Sequence, residues 1–430
     1  MKTLQLNSAS LFTEFLGYAC PHHPEKLKAV QDRHALWTGT KPQGTIHSGY
    51  RRQVLAKEGL AESAALAKDL RSRFDTMIVL GIGGSALGAR TVLSALSWQT
   101  SKPDARKVVI TDNLDPIDFE LATRDLDLKK TVVALITKSG GTIETMAQAS
   151  VLLQKFEKAN LKIADHFVGV TDPESGALRS WVKSSGLRAL SVPPDVGGRF
   201  SVFTPVGILP LAFAGIDVAQ LMQGAIDQFR AVDASTELAK TGLRLAELEA
   251  AGYTGKVLMP YATLLKDFGA WFVQLWGESL GKISFTGKAK GALPVAAVGA
   301  TDQHSLLQML VEGADRMSNG FLKVKDWSFP GFAEPEMLPL PKEFTSLKFA
   351  EGKSFAEILN AECAATQSVL SGKGRPVYEV ELASLSPASL GALFALYMDL
   401  VVYTAAASDV NPFDQPGVEL GKKILPSLLK

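Results

Sequence analysis

Cysteine is almost missing from this chain of 430 residues. Cys20 and Cys363 are the only two, and neither has a neighbour at metal-ligand spacing, so a disulfide framework is excluded and neither cysteine points to a metal site. Excess charge of either sign is also missing. With 45 basic against 44 acidic residues and a net charge of +1, no field gathers nucleic acid or an anionic membrane surface. Neither is expected as a partner, and an anionic ligand has to be caught locally. Long apolar runs are lacking too: the most apolar stretch, Gly391 to Ala407, is broken by Asp399, and Met1 to Ser8 has no continuous hydrophobic core. A cytoplasmic location is therefore expected. There is no low-complexity tract and no short-period repeat. No Walker A loop occurs either, since Gly277-Glu278-Ser279-Leu280-Gly281-Lys282 is one residue short and continues with Ile283. The pair His22-His23, followed by Pro24, reads as surface.

What is present describes a folded globular protein: 46% hydrophobic and 21% charged residues, in a chain long enough for two domains. The organising stretch is Ile78-Val79-Leu80-Gly81-Ile82-Gly83-Gly84-Ser85. Four apolar residues predict a strand buried on both faces, and three glycines then allow a backbone to wrap an anion at the start of a helix. Further strands are expected at 108–111, 131–136, 167–170 and 189–192, separated by crossover-length segments, which predicts a doubly wound parallel sheet with ligands off the strand ends. A second series is expected at 256–260, 294–298, 320–324 and 377–380, with helices over 261–280, 303–312 and 389–407. The opening of the chain, to about Arg73, reads as helical and loop decoration.

The glycine stretch leaves two alternatives to a phosphate cradle. One is plain strand–helix packing. The other is a dinucleotide fingerprint through Gly81, Gly83 and Ala86, with Asp112 at the end of the next strand as the ribose acid. Other segments gather chemistry at strand ends. Thr137-Lys138-Ser139-Gly140-Gly141-Thr142 offers hydroxyls and backbone N–H groups to the acceptor oxygens of a phosphate, or else simply caps a helix. Arg199, just beyond Gly197-Gly198, carries a permanent cation suited to an anion or a developing oxyanion. Glu278 stands at the apolar end of a helix, as a cap or a base, and His304 lies at the start of a helix after a strand. Lys422 follows the turn-rich run Asn411-Pro412-Phe413-Asp414-Gln415-Pro416-Gly417.

In this order these segments resemble the glucose-6-phosphate isomerase (phosphoglucose isomerase) family over about residues 78 to 425, as compact bacterial members present it. Val196-Gly197-Gly198-Arg199-Phe200-Ser201 and Phe413-Asp414-Gln415-Pro416-Gly417-Val418-Glu419-Leu420-Gly421-Lys422 look like the family's two signatures. The chain departs from the usual pattern with Thr137-Lys138-Ser139 for Ser-Lys-Thr, Leu280 for Asn, Ala300-Thr301-Asp302-Gln303 for Thr-Asn-Gly-Gln, and Pro416 for Trp.

The resemblance implies an α/β fold of two doubly wound parallel-sheet sugar-isomerase (SIS) domains, each a three-layer αβα unit, over 1–215 and 216–430. It implies reversible isomerisation of glucose 6-phosphate and fructose 6-phosphate through a cis-enediol(ate), with neither metal nor organic cofactor. It assigns the phosphate to Gly84, Ser85, Thr137, Lys138, Ser139 and Thr142, and hydroxyl contacts to Gln274 and Gln415. Glu278 is the implied base, Arg199 faces the enediolate oxygen, and His304 and Lys422 open the sugar ring. A homodimer with shared active sites follows, the histidine coming from the partner subunit. Two rivals remain: a SIS-type sugar-phosphate sensor, which has no use for Glu278, Arg199, His304 and Lys422 together, and a dinucleotide-dependent oxidoreductase.

Overall fold

Apolar runs without polar alternation belong in strands covered on both sides, and the chain builds two such sheets. The computed structural model describes residues 5–7, 24–39, 49–101 and 105–429. Its strands are β1 (Gln5–Asn7), β2 (Thr76–Leu80), β3 (Lys107–Thr111), β4 (Thr131–Ile136), β5 (Phe167–Thr171), β6 (Arg188–Ser191), β7 (Gly255–Pro260), β8 (Leu293–Ala296), β9 (Met317–Asp326) and β10 (Val377–Ser384). The first sheet runs β3-β2-β4-β5-β6, all parallel. The second runs β1-β10-β9-β7-β8, parallel except for β1.

Each sheet is the middle of three layers. Met77, Val79, Val132 and Ala134 pack with Leu70, Leu209 and Phe213 on one face of the first sheet, while Ile78, Leu80, Val133 and Leu135 meet Leu152, Phe156 and Leu178 on the other. Adjacent residues thus go to opposite cores, as the two-residue period of a strand requires. A side chain of this size, fully buried, contributes about 1.5–3 kcal/mol.

The expected strands and helices all form, within a few residues at their ends. The opening of the chain differs. Expected as decoration, it supplies β1, whose Leu6 pairs with Val380 at the edge of the second sheet. Three residues, Gln5-Leu6-Asn7, are too few to show a period. Cys20, His22 and His23 lie outside the described residues.

The largest core joins the halves around the helix Pro387–Ser408, apolar on every side and largely buried, the one helix among the described residues long and apolar enough to cross a membrane. Asp399, fully buried in its middle, accepts from Tyr50 OH at 2.5 Å and Arg51 Nη1 at 2.8 Å, with His34 Nε2 at 3.4 Å. Burial works to raise its pKa, and the charge of Arg51 with the His34 and Tyr50 hydrogen bonds outweighs it, leaving the carboxyl below its ordinary value. This paired charge pins the helices Pro24–Trp37 and Tyr50–Leu55 onto the core.

Candidate active site

The site lies where β2 and β4 end. After β2 the chain makes a tight turn over Gly83–Ser85, in which Gly83 has a φ of +57°, a conformation glycine adopts without strain. Gly84 is pressed against a second turn, Gly198–Phe200, so closely that a Cβ on it would stand 2.1 Å from the Gly198 carbonyl carbon. Ser201 Oγ lies 2.6 Å from Gly198 O and 3.2 Å from Gly84 O and locks the two turns together. Ser85 is half-buried beside them.

After β4, Thr137 and Thr142 hydrogen-bond to each other through their Oγ1 atoms at 2.9 Å, at the start of the helix Ile143–Lys158. Lys138 turns its ammonium away, donating to Pro194 O at 2.6 Å and Val196 O at 3.1 Å. Burial lowers its pKa, with Asp172 and Asp195 working against that. Its side chain thus fastens the segment leading to Arg199, while its backbone stays with the turn. Ser139 is exposed.

The helix Lys266–Leu280 crosses in front of these turns. Phe268, Trp271, Phe272, Leu275, Trp276, Ser279 and Leu280 form its buried face at helical spacing, leaving Gln274 and Glu278 one turn apart on another. Leu280, one of the departures from the family pattern, is 1% exposed and belongs to the core. A Cβ on Gly83 would stand 2.8 Å from Gln274 Nε2, so the helix and the glycine turn are in contact.

Arg199 joins these parts. Its side chain is 1% exposed, and all five of its N–H donors have protein acceptors. Nε donates to Ser279 Oγ at 2.8 Å, Nη1 to Glu278 Oε2 at 3.0 Å and Gln415 Oε1 at 3.1 Å, and Nη2 to Asp414 O at 2.9 Å and to Pro412 O. Burial lowers its pKa and the charge of Glu278 works against that, but a guanidinium remains cationic at any working pH. The other Glu278 oxygen, Oε1, accepts from Gln274 Nε2 at 3.1 Å. A carboxylate near a helix C-terminus faces the negative end of the dipole, and Arg199 compensates for it. Glu278 is also partly open, 32% exposed, and borders a cavity of 560 Å³.

The structure therefore brings Gly84, Arg199, Gln274, Glu278 and Gln415 together, with the Thr137–Thr142 turn beside them. It does not bring His304 or Lys422 to Glu278 or Arg199 within the chain. His304 stands exposed at the start of the helix Gln303–Glu312, where Asp302 closes the preceding turn by accepting from Val298 N at 2.7 Å. Lys422 is exposed on the helix Glu419–Leu428. Asp112, the ribose acid of the dinucleotide reading, is instead paired with Arg90 at 2.9 Å. Cys363 is buried, and burial pushes its thiol up to about 12, so it takes no part as a nucleophile.

Sequence reasoning named the run 411–417 but not its carbonyls, and it passed over Ser279 and Lys282 as partners of the site. A signal existed for Lys282, a lysine two residues beyond the end of the Glu278 helix. The carbonyls of Pro412 and Asp414 had none, because every residue carries one.

The profile of the phosphoglucose isomerase family matches residues 67–430. A glucose-6-phosphate isomerase of Carboxydothermus hydrogenoformans is 35% identical over 404 residues, 90% of this chain and 84% of that protein. Among solved structures, a hypothetical protein from Thermus thermophilus superposes with a TM-score of 0.87 at 32% identity, over 99% of both chains. A glucose-6-phosphate isomerase from Chlamydia trachomatis superposes with a TM-score of 0.78 at 25% identity, over 94% of this chain and 84% of that one.

Proposed function

The chain belongs to the phosphoglucose isomerase family, and on that premise we propose that the residues converging on Arg199 and Glu278 divide among themselves the interconversion of glucose 6-phosphate and fructose 6-phosphate. The reaction shifts one proton between C1 and C2 through a cis-enediol(ate). It therefore asks for a phosphate anchor, a base, a stabilised oxyanion and a means of opening the sugar ring.

The anchor is the pair of turns: the Gly84 backbone with Ser85, and Thr137, the Lys138 backbone, Ser139 and Thr142. Binding there positions the reacting carbons without joining the chemistry. Glu278 is the base that carries the proton. Arg199 faces the enediolate oxygen, where a fixed cation shielded from water gains most as charge develops. Its five donors are all taken before substrate arrives, so two Nη1 donors change partners: the side chains of Gln415 and Glu278 can yield, while the carbonyls held by Nη2 are main chain. Gln274 is the other hydroxyl contact, and its Oε1 is buried without a hydrogen-bond partner, ready to accept one.

His304 and Lys422 open the ring, one protonating the ring oxygen and the other taking the hydroxyl proton. The exposure of His304, away from Glu278 of its own chain, supports a homodimer in which His304 of the partner subunit completes the site. We place the division between the halves at Gly215, which ends the helix Pro205–Ala214 in a left-handed turn, giving the SIS units 1–215 and 216–430. A cytoplasmic location is part of the same proposal.

The observation that carries this reading is the Arg199–Glu278 pair at 3.0 Å, held from the other side by Gln274, directly in front of the glycine turn. A sensor of sugar phosphates needs the cradle and not this pair. The purified chain is expected to convert fructose 6-phosphate to glucose 6-phosphate without added metal or cofactor. Binding of the sugar phosphate without turnover would make the chain a sensor and overturn the assignment.

A further inference from the structure

Lys282 ends in a cage of acceptors. It stands two residues beyond the Glu278 helix, its side chain 6% exposed, and its ammonium donates to Asn411 O at 2.7 Å, Asp414 O at 2.5 Å and Asp414 Oδ1 at 2.6 Å. An ammonium has three donors, so none is left over for a ligand. Lys282 nevertheless follows the proposed base by four residues and lines the same cavity.

What it holds is a strap with little regular structure of its own. Between the helix Pro387–Ser408 and the short turn Pro416–Val418, the segment 411–415 makes no helix or strand. Inside it, Phe413 N donates to Asn411 Oδ1 at 3.0 Å, and the Phe413 ring packs against Phe200 at 5.6 Å. The carbonyls of residues 411, 412 and 414 all point at cations: Asn411 O at Lys282, Pro412 O at Arg199, and Asp414 O at both. Arg199 and Lys282 together have eight N–H donors, and six of their hydrogen bonds end on this strap. A backbone carbonyl turned inward without a donor carries a desolvation cost, so the strap lies where the two cations hold it.

We propose that Lys282 is a positioning residue for the isomerisation: through Asn411 and Asp414 it holds the strap that presents Gln415 to Arg199 and Glu278. The inference rests on the roles given above to those three residues. Once Nη1 exchanges partners on substrate binding, Arg199 keeps only its Nη2 bonds to Pro412 O and Asp414 O, whereas Lys282 adds Asn411 O and the Asp414 carboxylate and all its acceptors stay in place. The far end of the strap runs through Pro416–Val418 into the helix carrying Lys422, so the clamp also fixes where that helix starts. Burial lowers the pKa of Lys282, and the hydrogen bond it donates to Asp414 opposes that.

The test compares steady-state kinetics of Lys282→Met and Lys282→Arg with the wild type, using inorganic phosphate as a competitive probe of the Ser85 and Thr137 turns, which Lys282 does not touch. Lys282→Met is expected to lose ~10²-fold in kcat, the scale of a reacting group misplaced by about 1 Å, with phosphate inhibition unchanged. Lys282→Arg should recover most of that loss, since a guanidinium can donate to the same carbonyls. Full kcat in Lys282→Met, or a loss confined to KM and phosphate inhibition, overturns the proposal. Where Lys282→Met does not accumulate as folded protein, Asp414→Ala removes the carboxylate acceptor alone. A several-fold fall in kcat then supports the clamp, and an unchanged kcat overturns it. A wild-type chain that binds sugar phosphate but does not turn it over contradicts the isomerase reading itself.

Discussion

Lys256 shows how a single residue can act against the fold that buries it. Its side chain leaves β7, an inner strand of the second sheet, with 1% exposure, and its ammonium finds no hydrogen-bond partner, lying 4.1 Å from the centre of the Tyr378 ring and 5.4 Å from that of Trp276. Burial drives its pKa well below the ordinary lysine value. The folded chain therefore holds one proton fewer than the unfolded chain between that lowered pKa and the ordinary value of about 10.4. Across this window stability rises with pH. Lys256→Met keeps the stem and removes the amine, and it is expected to stabilise the protein by about 1–3 kcal/mol near neutral pH, the cost of an unsatisfied buried polar group. Chemical denaturation at several pH values checks this, and the variant should also lose the alkaline gain. The sequence showed Lys256 only as the polar member of an apolar strand. Its neighbours Tyr378 and Trp276 are far along the chain, and no periodicity reveals such a contact.

Among elements, legibility followed burial. β4, with six buried residues in a row, was readable at both ends because a strand covered on two faces has no polar alternation to blur it. The helix Gln303–Glu312, in which only Leu310 is buried, was readable instead from its apolar spacing. The antiparallel β1 was not. The glycine turns could be seen as turns, but their mutual contact could not, because Gly84 and Gly198 are brought together only when both halves of the first sheet's connections are folded. That contact is sensitive: Gly84→Ala puts a methyl 2.1 Å from the Gly198 carbonyl carbon, on backbone that cannot rotate away. The variant should fold, since the cores lie elsewhere, yet lose phosphate affinity and activity together. A rise in KM of roughly tenfold or more, the weight of one lost charge-assisted hydrogen bond, is expected in kinetic assays.

At the scale of the whole molecule, the site is assembled from segments that run from Gly83 to Gln415, and His304 of the same chain stands away from it. If His304 of the partner subunit completes each site, Glu278→Gln and His304→Ala are each inactive alone. Mixed and reassembled, they should regain about one quarter of wild-type activity, because half of the dimers carry one intact site of two. A mixture that stays inactive would return His304 to its own chain or to the surface. The fold of the two sheets and the family were legible in the sequence; the division of labour between copies came only from resemblance, since composition and spacing do not record which chain a residue serves. The central claim is narrower than the assembly, namely that Glu278 moves the proton. Its direct test is the conversion of fructose 6-phosphate by Glu278→Gln, an isosteric change that keeps a hydrogen bond to Gln274 within reach, with binding of a phosphorylated sugar acid measured on the same protein. The account predicts that binding persists while turnover falls by at least ~10²–10⁴-fold, the usual weight of general acid–base catalysis. Turnover at the wild-type rate would contradict it.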